Sequence, residues 1–197
     1  MVYVLSESYG KDSMAMLIEL KRRNLPVDYV IHCNIMFNDK VSGEHPLMAE
    51  WIPYAEKRIE ELYGIKVINV TAKYNFTQQF YKVKQRGKHI GDNYGFPYPT
   101  KFAWCNSYLK LQPIEKYIKK LIKKYGAVTE YVGIAKDEPE RLERFKELET
   151  ENHKYITLAD LDIDEAQAMQ ICKEQNLLSP KYTNSFRGGV GSVLNNL

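Results

Sequence analysis

The sequence predicts an α/β domain, a doubly wound and mostly parallel sheet with helices on both faces. Two observations predict it. Short apolar runs at Val2–Leu5, Tyr29–Cys33 and Lys66–Val70 have the length of buried strands. Between them lie longer segments of helical periodicity. Strand, helix, strand, helix, strand in this rhythm calls for crossover connections, and hence parallel strands with helices on the sheet's faces.

The elements follow in order. After the first strand, a loop rich in Ser, Gly and Asp leads into a helix from Ser13 to Leu20 that ends near Asn24 and Pro26. The second strand is followed by a helix from Pro46 to Tyr63 that stops at Gly64, a residue suited to a helix C-terminus. The third strand leads into a long irregular insertion, about 73–108, rich in Tyr, Gly, Pro, Lys and Asn. Loops of that length are uncommon in compact domains and often functional. A Lys-rich helix from Pro113 to Tyr125 ends at Gly126, and Glu130–Ala135 is the fourth strand. Residues 136–155 are charged and irregular or partly helical. A last helix runs from Asp164 to Asn176, with Asp164 as its N-cap.

At 197 residues, with 44% hydrophobic and 27% charged residues, the chain can bury a core without disulfide staples. No apolar run is long enough to cross a bilayer, and Met1–Leu5 lacks the basic start and length of a signal peptide. A cytoplasmic protein without a membrane partner is expected. Cys33, Cys105 and Cys172 are too few and too scattered for a disulfide framework or a four-thiolate metal site. The net charge is +3. Lys116, Lys119, Lys120, Lys123 and Lys124 have the spacing of a solvated helix face, with Ile118, Leu121 and Ile122 opposite. A nucleic-acid surface is the alternative for those lysines. The four histidines, His32, His45, His89 and His153, show no helical metal-pair spacing. His45, beside Glu44, is either an acid/base or ligand residue or a plain surface histidine.

The chemistry concentrates in Ser8-Tyr9-Gly10-Lys11-Asp12-Ser13, between the first strand and its helix. In an open parallel sheet, ligands sit beyond the carboxyl ends of the strands. A helix start there offers free N–H groups and the positive end of the helix dipole to a phosphate. Gly10 allows a backbone conformation that a side chain would hinder. Ser8 and Ser13 can donate hydroxyls. Lys11 adds positive charge or points to solvent. Asp12 would repel a phosphate, so it fixes the loop or helps to hold Mg²⁺. An ordinary strand-to-helix turn with a Ser/Asp cap is the alternative. The pattern is neither the dinucleotide glycine fingerprint nor the Gly-Lys-Ser/Thr phosphate loop.

These residues resemble the Ser-Gly-Gly-x-Asp-Ser pyrophosphate loop of the adenine nucleotide α-hydrolase-like (PP-loop) superfamily, with Tyr9 in place of the first glycine. Within it, the chain resembles the phosphoadenosine phosphosulfate (PAPS) reductase family over nearly its whole length. Glu44-His45-Pro46 is similar to that family's Glu/Pro segment. Trp104-Cys105-Asn106 with Leu109-Lys110 and Pro113 is similar to its Trp-Cys-x-x-x-Leu-Lys segment. Gly133-Ile134-Ala135-Lys136-Asp137-Glu138-Pro139-Glu140-Arg141 is similar to its Gly-Ile-x-x-Asp-Glu-x-x-Arg segment. The resemblance implies an adenine nucleotide over the strand ends, ATP or a PAPS/APS-type sulfonucleotide, with Mg²⁺ alongside. Base and ribose would lie near Asn34 and Ile35. Lys136 and Arg141 would meet phosphate or sulfate. An ion pair of Arg141 with Glu138 or Glu140 is the alternative.

The resemblance breaks at the tail. The family carries Cys-x-x-Cys after a segment like Phe186-Arg187-Gly188-Gly189, and with Cys105 that pair forms a metal or cluster site in some branches. Here Val190-Gly191-Ser192-Val193 follows. Cys-Trp-Phe-Cys written TGT-TGG-TTC-TGT becomes Val-Gly-Ser-Val when one base is lost before it. Residues 1–189 are therefore expected to form the nucleotide-binding domain, and 190–197 to be a frameshifted remnant. An iron–sulfur cluster or zinc is not expected. Cys105 keeps the position of a family metal ligand but reads equally as a buried small hydrophobe.

Three functions compete. The first is an enzyme that splits the α–β bond of ATP and adenylylates an acceptor, with catalysis by Lys11, Asp12 and Arg141. Its acceptor would meet Lys82, Lys84, Arg86, Lys88, His89 and the tyrosines of the insertion, which suit a nucleic acid or a second nucleotide. The second is a sulfonucleotide reductase, which needs a reactive thiolate. The third is a non-catalytic nucleotide-binding relative. A homo-oligomer is compatible with each.

Overall fold

Successive side chains of a strand leave on opposite faces, and in β1 (Val2–Glu7) both faces are buried. Val2 and Val4 pack with Ile31, Cys33, Ile118 and Leu121 on one side, and Leu5 with Met14, Leu17, Val30 and Ile59 on the other. β1 is thus an inner strand with helices on both sides. The computed structural model describes residues 1–97 and 103–182. After β1 come α1 (Lys11–Arg22), β2 (Tyr29–Asn34), α2 (Pro46–Tyr63), β3 (Val67–Thr71), α3 (Phe76–Tyr81) and α4 (Trp104–Asn106). Then follow α5 (Gln112–Tyr125), β4 (Val128–Val132), α6 (Pro139–Glu147), β5 (His153–Thr157) and α7 (Glu165–Glu174). The five strands are all parallel, in the order β3-β2-β1-β4-β5. The doubly wound α/β fold is borne out.

Local sequence explains most boundaries. His45 caps α2, its Nδ1 accepting from Leu47 N–H at 3.3 Å, and Gly64 ends the helix in the left-handed region at φ 65°. Asp164 caps α7 in a reciprocal capping box with Gln167. In α5, Ile114, Ile118 and Leu121 are buried, while Lys116, Lys119, Lys120, Lys123 and Lys124 are exposed. Ile122 is only partly buried there.

Several expectations need correction. α1 begins at Lys11, not Ser13, so the loop after β1 is only Ser8-Tyr9-Gly10. The fourth strand is displaced to Val128–Val132, where it pairs with β1 in register Val2↔Val128, and Ile134 and Ala135 follow it in a loop. Residues 136–155 hold α6 and the start of a fifth strand. His153-Lys154-Tyr155-Ile156-Thr157 is an edge strand, so it lacks an apolar run; α6 buries no residue and shows no core stripe. The insertion is not structureless. α3 is capped by a reciprocal Asn75/Gln78 box, and from Trp104 the chain is helical through a π-helical turn, Ser107–Leu111, into α5. Residues 183–197, which include the tail Val190–Leu197, lie outside the described residues. No helix among the described residues is long and apolar enough to cross a membrane.

Candidate functional site

The chain runs outward from β1 through β2 to β3, then returns to place β4 on the other side of β1. The strand order therefore reverses between β1 and β4, and the carboxyl ends there form the crevice where such sheets hold ligands. Ser8-Tyr9-Gly10 leaves β1 at that point. From the β4 side, Gly133 closes against the first turn of α1. A Cβ on Gly133 would lie 2.5 Å from the carbonyl carbon of Asp12 and closer still to Ser13 N. Only a glycine lets these two backbones meet.

The conformational role expected of Gly10 falls on Tyr9. Gly10 is extended at φ −81°, open to any residue, whereas Tyr9 is left-handed at φ 55°. That conformation costs a side-chain-bearing residue roughly 1–2 kcal/mol. Tyr9 is fully buried, its ring 4.6 Å from His32, and its hydroxyl donates to Glu56 at 2.9 Å. Burying an aromatic side chain returns about 1.5–3 kcal/mol, enough to offset the strain. Gly10 serves by closeness. A Cβ there would come within 3.3 Å of Ser8 Oγ and 3.4 Å of both Lys181 Nζ and Tyr182 hydroxyl. Three polar groups thus close over the glycine, so near that a methyl group would press on them.

Beneath the loop lies Glu7, 1% exposed. Its Oε1 accepts from Tyr9 N–H at 2.6 Å and from the Ser13 hydroxyl; Ser13 Oγ in turn accepts from Ser8 N–H at 3.2 Å. Burial pushes the Glu7 carboxyl from 4.5 up to about 7, against the pull of these hydrogen bonds and the Lys181 charge. Between those values the folded chain holds a proton that the unfolded chain has released. The stabilisation is full below pH 4.5 and lost as pH rises to about 7, a swing of about 3 kcal/mol. Urea denaturation across this range is expected to show that loss in the native chain and not in Glu7→Gln. Equal slopes in the two would contradict it.

The lysine of the loop and the lysine at the loop differ. The ammonium of Lys11 pairs with Asp12 at 2.6 Å and Glu165 at 3.2 Å, tying α1 to α7. Its backbone N–H donates to the Tyr182 hydroxyl at 3.1 Å. Lys181 makes no ion pair among the described residues and faces Gly10. Burial, and then the nearby charge of Lys110, lower its affinity for a proton. The N–H groups of Gly10 and Asp12 have no protein acceptor among the described residues. Lys136 donates to Asp162 at 2.9 Å, and Arg141 pairs with Glu138, whose charge reaches Asp12. Lys181, Tyr182 and Glu7 have no periodic or motif signal. A charged residue ending an apolar strand run just before the loop was the one available clue to Glu7.

Asn34 ends β2 and lines a cleft of about 280 Å³ with Asn38, Thr71, Tyr74, Asn75 and Gln78. Its size approaches the lower end of small-molecule sites, roughly 300 Å³. Cys33 and Cys172 are buried, their thiols pushed up to about 11 and about 12. Cys105, on α4, packs on the Ile35, Phe76 and Leu109 cluster, and burial raises its thiol also. Among the described residues no three His, Cys, Asp or Glu side chains gather as a metal site.

No known protein-family profile matches the chain, and no curated protein matches its sequence. Among solved structures, the U34-tRNA thiolase NcsA from Methanococcus maripaludis, described with its [4Fe-4S] cluster, is similar at 16% identity and a TM-score of 0.47. The similarity covers 90% of this chain and 57% of that one, so the chain spans little more than half the length of that protein.

Proposed function

We propose that the chain binds an adenine nucleotide by its phosphates at the β1–α1 loop, as PP-loop proteins do, and splits the α–β bond of ATP to adenylylate an acceptor. One observation carries this reading. Ser8 Oγ, Lys181 Nζ and Tyr182 hydroxyl converge over Gly10, beside the Gly10 and Asp12 amides, which lack a protein acceptor among the described residues. A cation, hydroxyls and free N–H groups at the positive end of a helix are the donor set of a phosphate site. Asn34 and the cleft beside it would take the nucleoside.

In this reading the amides of Gly10 and Asp12, the Ser8 hydroxyl and Lys181 hold the pyrophosphate and offset the charge that develops on it as the bond breaks. Lys11 and Asp12 act on each other and keep the helix start in place. Arg141, held by Glu138 at the start of α6, would meet the ligand only by leaving that pair. Mg²⁺ takes most of its ligands from phosphate and water, so it would arrive with the nucleotide. The acceptor would approach along the insertion, where Lys82 lies over the Tyr74 ring at 4.4 Å and Lys84 over that of Tyr94 at 5.8 Å, and where Tyr81 and Phe96 are exposed, a combination suited to single-stranded nucleic acid. A sulfonucleotide reductase needs a thiolate, and the raised Cys105 thiol counts against it.

ATP–pyrophosphate exchange tests the reading. With single-stranded RNA supplied as the acceptor, the native chain is expected to exchange label between pyrophosphate and ATP, the adenylyl group passing reversibly between pyrophosphate and the RNA. Ser8→Ala is expected to weaken ATP binding about tenfold, the cost of one hydrogen bond to a charged group, with an unchanged melting temperature. Thiol-dependent sulfite release from PAPS without exchange would install the reductase in its place. Nucleotide binding with neither reaction would leave a non-catalytic relative.

A further inference from the structure

We propose that Glu7 is the positioning residue of the β1–α1 loop, and that an anion enters the loop together with a proton on this carboxyl. The inference rests on the phosphate-binding reading above and adds to it what holds the loop and how the loop accommodates negative charge.

Glu7 Oε1 gathers the Tyr9 amide and the Ser13 hydroxyl, so one buried carboxyl sets the left-handed residue and the first helical turn together. Among the described residues its second oxygen, Oε2, is buried without a hydrogen-bond partner. No cation forms an ion pair with it among the described residues. The charged and titratable groups around it come from every neighbouring element. Asp12 and Lys11 stand on α1, Cys172 on α7 and Lys181 on the Pro180–Tyr182 turn. His32 stands on β2 opposite Glu7 in register, and Glu56 on α2 acts through Tyr9. The ring of His32 is fixed through Nδ1 on the Glu7 carbonyl oxygen at 3.0 Å, and burial lowers its affinity for a second proton.

A phosphate at Gly10 would thus sit one layer of donors above an unpaired buried carboxylate. Two negative charges that close in a poorly solvated site cannot both persist without cost. The carboxyl can resolve the conflict without surrendering its post. When protonated on Oε2, it still accepts from Tyr9 and Ser13 through Oε1. Burial has already brought the group to about 7, so the neutral form is within easy reach.

The test is calorimetric titration of inorganic pyrophosphate into the full chain, in buffers of different ionisation enthalpy, from pH 6.5 to 8.5. Native protein is expected to take up a substantial fraction of a proton at pH 7.5 to 8, and to lose about tenfold in affinity per pH unit above 7. Glu7→Gln keeps the acceptor oxygen but cannot titrate. It is expected to bind with a flatter pH profile and to lose that part of the uptake, after the ligand's own protonation cancels between the two proteins. Identical uptake and slope in Glu7→Gln would assign the proton to Lys181 and overturn the inference. Should the variant fail to fold, absence of buffer-dependent heat in the native chain would overturn it as well. No pyrophosphate binding by native protein at any pH would instead sink the phosphate reading itself.

Discussion

Gly133→Ala is expected to lower the melting temperature by roughly 6–12 °C, corresponding to about 3 kcal/mol, the upper end of overpacking costs. The added carbon would lie 2.5 Å from the carbonyl carbon and 2.9 Å from the carbonyl oxygen of Asp12. Both are backbone atoms in the first turn of α1, so no side chain can swing aside to admit it. Either β4 and α1 part, with loss of packing around Tyr131 and Met14, or the helix start rotates. The second route disturbs the amides of Gly10 and Asp12, so nucleotide affinity is expected to fall with stability. Scanning calorimetry and an ATP titration of the same variant measure both. A variant melting within a degree of the native protein would show that the two backbones have room to separate.

Lys181→Met is expected to act in the opposite sense on the two quantities. Methionine keeps the length and removes the charge. If the ammonium binds phosphate, affinity for pyrophosphate falls about 10- to 100-fold, as loss of a charge-assisted hydrogen bond costs about 1.5–3 kcal/mol. Stability is expected to stay level or rise, because the free protein carries a desolvated cation that has no ion-pair partner among the described residues. A structural lysine would show the reverse, with stability lost and affinity retained. Lys11→Met separates the two lysines further. Its ammonium joins α1 to α7 through Glu165, so its loss should register in stability first.

The parts of this protein that could be read in its sequence are those governed by local rules. β1 and β2 are short apolar runs buried on both faces, and α2 stops at a left-handed Gly64, whereas its cap, His45, was not read as one. The β1–α1 junction was legible because strand, short loop and helix start are contiguous. β5 was not, since an edge strand with one poorly covered face needs no apolar run. The site was legible only in half. Tyr182 reaches Lys11 across 171 positions of sequence, and no periodicity announces such a contact. Lys181 comes with it, so the ammonium that faces Gly10 is not that of Lys11, the lysine the sequence alone would choose. The exchange of roles between Tyr9 and Gly10 was hidden for another reason. A left-handed tyrosine is tolerable only because Glu7, Glu56 and His32 surround it, and these partners come from three different elements.

The most direct measurement is a crystal structure of the protein soaked with ATP or pyrophosphate. The account predicts phosphate oxygens within hydrogen-bonding distance of Gly10 N–H, Ser8 Oγ and Lys181 Nζ, with the adenosine of ATP beside Asn34. Nucleotide bound elsewhere, with Lys181 and the loop amides untouched, would contradict it.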